Sequence, residues 1–244
     1  LRYSAAKLSP EWQGSSLERS FRAPHFSISA AALLGGSRKY SLGEVSLADQ
    51  GILFLDEISE YSPNILNLLR QPLEEHVVQR TRSGQVLRLP ARFILFAAAN
   101  PCSCGLLFEK EQSCTCTDGG IQRYRQKFRN PFFDRIDLFV EMQRLSGDKL
   151  GGTLQERSAD PERFRVQVQE ARAIQHARQG LGQTSLLRLN GWLPADELRE
   201  QLHCSDEVLR QAEMLSDKLK LSIRSFQKLL RVARTIADLE ACES

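Results

Sequence analysis

Two short, unbroken apolar runs in the first half of the chain end abruptly in polar residues. Residues 51–55 are followed by Asp56 and Glu57, and residues 93–99 are followed by Asn100. Unbroken apolar runs of this length favour parallel strands that are buried on both faces. Ligands of open α/β sheets bind at the carboxyl ends of the strands, so these polar residues are candidate site residues.

A helix, a hairpin and a third strand are predicted around these two runs. Ser62 and Pro63 form a helix start, because serine caps a helix and proline fits its first turn. Residues 77–89 have the pattern of a hairpin with a turn near Gly84. A third apolar run, residues 136–142, is predicted to be the third core strand.

Helical patterns dominate the second part of the chain. They cover residues 161–179, 194–203, 206–219 and 222–239. A plausible hinge near residues 146–152 separates them from the strands, so we predict an α/β core over residues 1–148 and a helical domain over residues 149–244. The predicted fold class is an α/β parallel sheet followed by a helical domain.

Composition narrows the class of protein. Among 244 residues, 41% are hydrophobic and 26% are charged, which excludes a disordered tail, a collagen-like repeat and a disulfide-dense miniprotein. No apolar run approaches the roughly 18–20 residues of a bilayer span, so no membrane partner is expected. Six cysteines without a secretory pattern indicate reduced thiols and a cytoplasmic location. The chain begins with Leu1, not Met, which suggests a fragment.

Positive charge is local in this chain, although the net charge is only +3. Residues 77–108 contain four arginines and no acid, and residues 119–133 contain four basic residues and no acid. Such clusters suit a surface that contacts phosphates, but they also occur on ordinary solvated faces.

The acid pair after the first run has a specific chemical use. An acid at a strand tip, here Asp56, can hold a hydrated Mg²⁺ beside the β- and γ-phosphates of a nucleotide, and the next acid, Glu57, can polarise the attacking water. This is the Walker B pattern, although two acids also follow ordinary strands. Asn100 could orient the water, and Arg135 or Arg224 could stabilise the γ-phosphate in the transition state.

Four cysteines in one loop form a candidate metal site. Cys102-x-Cys104 and Cys114-x-Cys116 offer four thiolates for tetrahedral Zn²⁺. Structural zinc sites favour C-x₂₋₄-C spacing, so buried or idle thiols and redox chemistry remain alternatives.

Seven segments in order resemble the magnesium-chelatase-like AAA+ ATPases of the ComM/YifB type, from about residue 21 to about residue 239. The segments are FRAPH at 21–25, GEVSLA at 43–48, GILFLDE at 51–57, LRQPLE at 69–74, AANPC at 98–102, DRIDL at 134–138 and LRVARTIADL at 230–239.

The resemblance implies a hexameric ring that binds ATP and Mg²⁺ at its subunit interfaces. By position, Asp56 resembles the Walker B acid that binds Mg²⁺, and Glu57 resembles the catalytic base. Asn100 is similar to sensor 1, Arg135 to the arginine finger, and Arg224 to the sensor 2 arginine of a helical lid.

The resemblance also implies two inserts that commonly face the central pore of the ring. Residues 23–47 resemble the insert of the second AAA+ helix, and residues 77–89 resemble the pre-sensor-1 hairpin. Arg80 and Arg82 are therefore candidate contacts to nucleic-acid phosphates. The implied function is an ATP-driven DNA motor, such as a helicase for branch migration in recombination or transformation.

Three other functions stay open. One is the motor subunit of a metal-insertion chelatase, and another is a non-enzymatic module that binds nucleic acid or metal. The third is a sigma-factor-dependent transcriptional activator, although the characteristic G-A-F-T-G-A loop of that class is missing here.

The sequence departs from the family at the phosphate-binding loop. No G-x-x-x-x-G-K-[ST] occurs in the 244 residues, and the nearest stretch, residues 35–39, has the wrong spacing. In the family this loop lies upstream of the FRAPH segment. The expectation is a truncated chain that binds ATP poorly and hydrolyses little by itself.

Overall fold

A computed structural model describes residues 19–36, 41–82, 85–109, 113–142, 160–178 and 189–242. The chain divides into unit 1, Leu1–Ile136, and unit 2, Asp137–Ser244. The hinge predicted at residues 146–152 lies outside the described residues, as do the side chain of Arg82 and part of the predicted insert, residues 37–40.

Unit 1 contains a parallel sheet and a separate hairpin. The sheet has the order β1-β2-β5, and β3 pairs with β4 in an antiparallel hairpin. The strands are β1 (Phe21–Arg22), β2 (Ile52–Leu55), β3 (Val77–Arg82), β4 (Gln85–Pro90) and β5 (Ile94–Ala97). Both predicted strands with polar ends, β2 and β5, and the predicted hairpin are present. Parallel neighbours need long crossovers, and here the connections from β1 to β2 and from β2 to β5 both contain helices.

Short helices form most of the remaining regular structure in the described part of unit 1. They are α1 (Ala30–Leu34), α2 (Glu44–Leu47), α3 (Pro63–Leu68), α4 (Arg70–Glu75) and α5 (Asp118–Gln126), with 3₁₀ turns at Ile58–Glu60, Lys127–Arg129 and Phe133–Arg135. The predicted helix start is confirmed, because Ser62 Oγ accepts a hydrogen bond from the Ile65 amide at 3.3 Å and Pro63 opens α3.

The sheet is covered on one face within the described residues. Leu53 and Leu55 of β2 are completely buried, in one apolar cluster with residues of α1, α2 and α3. The opposite face carries Phe21, Phe54, Ile94 and Phe96, which we call the open sheet face. Phe96 is 54% exposed and Phe21 is 61% exposed. The prediction of burial on both faces therefore holds for only one face, since successive side chains of a strand point to opposite sides.

The third predicted strand is wrong within the described residues. Residues 136–142 have no strand assignment, and Phe139 and Val140 are 73% and 77% exposed. An apolar run becomes a strand only where a neighbouring strand pairs its N–H and C=O groups, and local sequence cannot supply that neighbour.

From residue 160 onward most described residues of unit 2 are helical, in the stretches where the sequence has helical patterns. Its helices are α6 (Pro161–Arg178), α7 (Leu198–Gln201), α8 (Asp206–Leu219) and α9 (Ile223–Leu239), with a 3₁₀ turn at Asn190–Trp192. Ser205 and Ser222 cap α8 and α9. The apolar core contains Leu193, Leu198, Leu202, Leu209, Ala212 and Leu230. Within the residues that the structure describes, no helix is long and apolar enough to cross a membrane.

Candidate functional site

The carboxyl ends of β2 and β5 stay joined beyond the strands. The Ala98 amide donates to Leu55 O at 2.9 Å, and the Ile58 amide donates to Ala98 O at 2.9 Å. The predicted site residues Asp56, Glu57 and Asn100 all lie at this edge of the sheet and are exposed. The structure thus brings the acid pair and the asparagine to neighbouring strand ends, where ligands of such sheets bind.

The acid pair sits in a tight turn. Glu57 has φ +48° and ψ +48°, and its amide donates to Asp56 Oδ1 at 2.9 Å. A left-handed conformation is unusual for a residue with a side chain and costs roughly 1–2 kcal/mol. Both carboxylates are exposed, and carboxylate oxygens are the ligands that Mg²⁺ prefers beside substrate phosphates. The residues present therefore fit a magnesium ion.

Tyr61 connects this turn to the end of β1. Its hydroxyl donates to Pro24 O at 2.5 Å, and only 4% of its surface is exposed. Burial, and secondarily the negative charge of Asp56, raises the pKa of Tyr61 to about 12. Sequence reasoning missed this contact, since a tyrosine six residues after a strand has no fixed partner.

Helix α5 and the 3₁₀ turn after it contact the segments that follow β5 and β2. The Tyr124 hydroxyl donates to Asn100 O at 2.8 Å, and Lys127 Nζ lies 3.3 Å from Glu60 Oε1. The first contact fixes the backbone of the predicted sensor asparagine. The sequence shows α5 as a basic helix but does not indicate which strand end it meets.

Arg135 is engaged within unit 1. Its side chain is 5% exposed, and its Nη2 lies 2.6 Å from Glu74 Oε1. Its other terminal nitrogen donates to Pro131 O. Glu74 is the last residue of the LRQPLE segment. The family resemblance includes this segment, but it does not indicate that Glu74 pairs with Arg135.

The other predicted arginines with described side chains belong to α9 and to the hairpin. Arg224 is an exposed residue in the first turn of α9 in unit 2. Arg80 of β3 is half-buried and donates to Gly35 O, so it joins the hairpin to the insert that contains α1 and α2. Arg88 of β4, in contrast, is exposed.

The four loop cysteines form one cluster. Sγ–Sγ distances are 3.4 Å for Cys102–Cys104, 3.5 Å for Cys104–Cys114 and 3.7 Å for Cys102–Cys114. The Sγ atoms of these three and of Cys116 all lie within 4.8 Å of one another, and no disulfide joins them. Hydrogen bonds from the backbone at Leu106, then at Thr115, lower the pKa of Cys104 to about 5.

Comparison with protein families gives two matches that together cover most of the chain. Residues 2–150 match the profile of magnesium chelatase, subunit ChlI. Residues 158–244 match the profile of the ChlI C-terminal region.

Individual relatives point the same way. The chain is 36% identical to competence protein ComM of Haemophilus influenzae over 91% of its own length and 42% of the relative, and 36% identical to the uncharacterized protein YifB of Escherichia coli over 97% and 44%. The magnesium-chelatase 38 kDa subunit of Cereibacter sphaeroides is 35% identical over 72 residues, which are 29% of this chain and 21% of that subunit. The chain spans less than half the length of these relatives. With a mixed α/β unit, an acid pair at its strand ends and a matching C-terminal region, the chain belongs to the magnesium chelatase family of AAA+ type and is similar to ComM and YifB.

Proposed function

We propose that the whole protein is a magnesium-dependent ATPase that hydrolyses ATP at the subunit interfaces of a hexameric ring. The observation that carries this proposal is the exposed acid pair at the carboxyl end of β2, next to Asn100 beyond β5. Family membership supports it, because the family is of the AAA+ type.

Three residues at the carboxyl ends of β2 and β5 have separate roles in the proposed hydrolysis of ATP. Asp56 would hold Mg²⁺, which would supply positive charge to the phosphates of the nucleotide. Glu57 accepts the proton of the attacking water, and Asn100 orients that water through its amide. The hydrogen bond from Tyr124 to Asn100 O keeps the asparagine in place.

The arginines supply positive charge to the same reaction. Arg135 is the proposed finger for a neighbouring subunit, and Glu74 holds its guanidinium in a defined position until the subunits meet. Arg224 is the proposed sensor 2 residue of a helical lid formed by unit 2. The phosphate-binding loop has to come from residues other than these 244, so this chain by itself is expected to hydrolyse little ATP.

DNA is the proposed polymer on which the ring acts, with branch migration in recombination or transformation as the process. The similarity to a competence protein and the acid-free basic hairpin support this substrate. A cytoplasmic location belongs to the same proposal and agrees with six free cysteines. The match to a chelatase subunit over 72 residues supports the second candidate, a motor for metal insertion.

The substitution Glu57→Gln in the full-length protein tests the ATPase. We expect the rate of ATP hydrolysis to fall by about 100-fold or more while nucleotide affinity is retained, because the amide cannot accept the proton of the water. Steady-state phosphate release and nucleotide binding measure the two effects.

Glu60→Gln is the matched control. Glu60 is an exposed acid three residues away that pairs with Lys127, so its loss should leave turnover within about twofold. Normal turnover in Glu57→Gln would refute the proposed role of Glu57.

A further inference from the structure

We propose that Cys102, Cys104, Cys114 and Cys116 bind one structural Zn²⁺ ion, which ties the segment after β5 to the start of α5. The proposal does not depend on the proposed ATPase, since metal content is measured without nucleotide. It assigns zinc as a resident structural ion, separate from the magnesium of the reaction.

The sulfur geometry fits tetrahedral zinc. With Zn–S bonds of about 2.3 Å, the sulfurs of a regular tetrahedron lie about 3.8 Å apart. Three of the Sγ–Sγ separations, 3.4, 3.5 and 3.7 Å, lie just below this value, and all four Sγ atoms lie within 4.8 Å of one another. A small expansion of the cluster would accommodate the ion. The same separations are far longer than the S–S bond of a disulfide, about 2.05 Å.

The local backbone explains how C-x-C spacing reaches this geometry. The Gly105 amide donates to Cys102 O at 3.1 Å, and Gly105 has φ +80°, which glycine adopts without strain. The chain therefore turns through Ser103 and Cys104, and the sulfurs of Cys102 and Cys104 lie 3.4 Å apart. This turn removes the objection that C-x-C is too short for a zinc site.

The burial of the cluster suits a bound cation. Cys102 is completely buried, and a buried thiolate needs a compensating positive charge. Zinc supplies that charge, and the thiol protons are released to solvent when it binds.

The position of the cluster in the fold defines what the ion does. Cys102 follows Asn100 by two residues, and Cys116 precedes Thr117, whose hydroxyl caps α5 by accepting from the Gly120 amide. The Tyr124–Asn100 hydrogen bond joins the same two segments. Zinc therefore holds the two ends of the cysteine loop together next to the proposed sensor residue.

Metal content of the purified protein is the first test. Protein prepared with reductant and without chelator should contain about one zinc per chain by elemental analysis. Replacement by Co²⁺ should give the visible absorption bands of a tetrahedral thiolate site. Absence of bound metal, iron in place of zinc, or cluster cysteines joined in disulfides would each overturn the proposal.

Two double variants localise the ion. Cys114→Ser with Cys116→Ser should lower the zinc content at least tenfold. Cys204→Ser with Cys242→Ser, the matched control, should retain the full content because these two cysteines lie in unit 2, outside the cluster. Equal zinc in both variants would place the metal elsewhere.

If the cluster variant does not fold, titration of the wild-type protein with a thiol-reactive mercurial tests the same site. A mercurial reagent added in steps should release zinc to a chromogenic chelator as the cluster thiols react. Hydrogen exchange after chelation should then speed up at residues 98–104 and 114–124, with β3 and β4 unchanged. Zinc release with unchanged exchange in those segments would disprove the structural role.

Discussion

Glu57 shows at the scale of a single residue what the geometry adds to the pattern. The apolar run followed by two acids predicts a site, but an ordinary strand exit has the same sequence. The left-handed turn at Glu57 and the bond of its amide to Asp56 Oδ1 leave both carboxylates exposed. Strained backbone of this kind occurs at functional sites, which agrees with the role proposed for Glu57.

The raised pKa of Tyr61 predicts that the stability of the fold depends on pH in the alkaline range. Its pKa is about 12 in the folded chain, compared with 10.0 for an unperturbed tyrosine. Between these two values the unfolded chain loses the phenol proton while the folded chain keeps it. The contribution of Tyr61 to stability is therefore complete below pH 10 and declines as the pH rises toward 12.

Tyr61→Phe tests this dependence. The variant has no phenol at this position, so its free energy of unfolding should decline less steeply than that of the wild type above about pH 10. Near neutral pH the difference should be about 1 kcal/mol, the loss of the hydrogen bond to Pro24 O. Chemical denaturation at several pH values measures both quantities, and parallel pH profiles would contradict the expectation.

At the scale of elements, a buried polar network joins three parts of unit 2. Asp238 of α9 is completely buried and accepts hydrogen bonds from Arg178 of α6, Arg234 of α9 and Asn190 of the 3₁₀ turn. Helical periodicity predicts α6 and α9 correctly, but it marks only their apolar stripes. The network escaped prediction because its members are separated by up to 60 residues.

Asp238→Asn tests the importance of this network. The substitution leaves two buried guanidinium groups without their anion, so we expect it to destabilise unit 2 by about 3–5 kcal/mol. Glu213→Gln on the exposed side of α8 is the control and should change stability by less than about 0.5 kcal/mol. Denaturant unfolding followed by circular dichroism compares the two, and equal midpoints would refute the importance assigned to the network.

At the scale of the molecule, the sequence predicted elements that depend on neighbouring residues, but it did not predict contacts between residues far apart in the chain. The strands β2 and β5, the cap at Ser62 and the hairpin follow from neighbouring residues. The Arg135–Glu74 pair and the convergence of four sulfurs depend on how distant segments pack. The same dependence explains the failure at residues 136–142, where an apolar run has no strand assignment.

The arginines of the β3–β4 hairpin are predicted to contribute to DNA binding by the full-length protein. Arg80 donates to Gly35 O, so its replacement would disturb the contact between the hairpin and the insert. Arg82→Ala with Arg88→Ala is therefore the cleaner test of DNA binding. If both arginines contact phosphates, the variant should bind DNA more weakly, and the slope of log K against log salt should become shallower by about 0.7–0.9 per lost contact.

Arg165→Ala with Arg210→Ala removes the same charge from exposed positions of unit 2 and serves as the control. Binding isotherms of the full-length protein at two salt concentrations distinguish the variants. Identical isotherms for the hairpin variant and the wild type would exclude the hairpin from the DNA contact.

The open sheet face has a consequence for the temperature at which this chain is handled. Phe21, Ile94 and Phe96 are each about half exposed or more, so any surface that covers them removes apolar area from water. Attraction of this origin is mainly entropic near room temperature and weakens on cooling. Self-association through this face is therefore expected to be least in the cold, and covering it would be accompanied by a negative change in heat capacity.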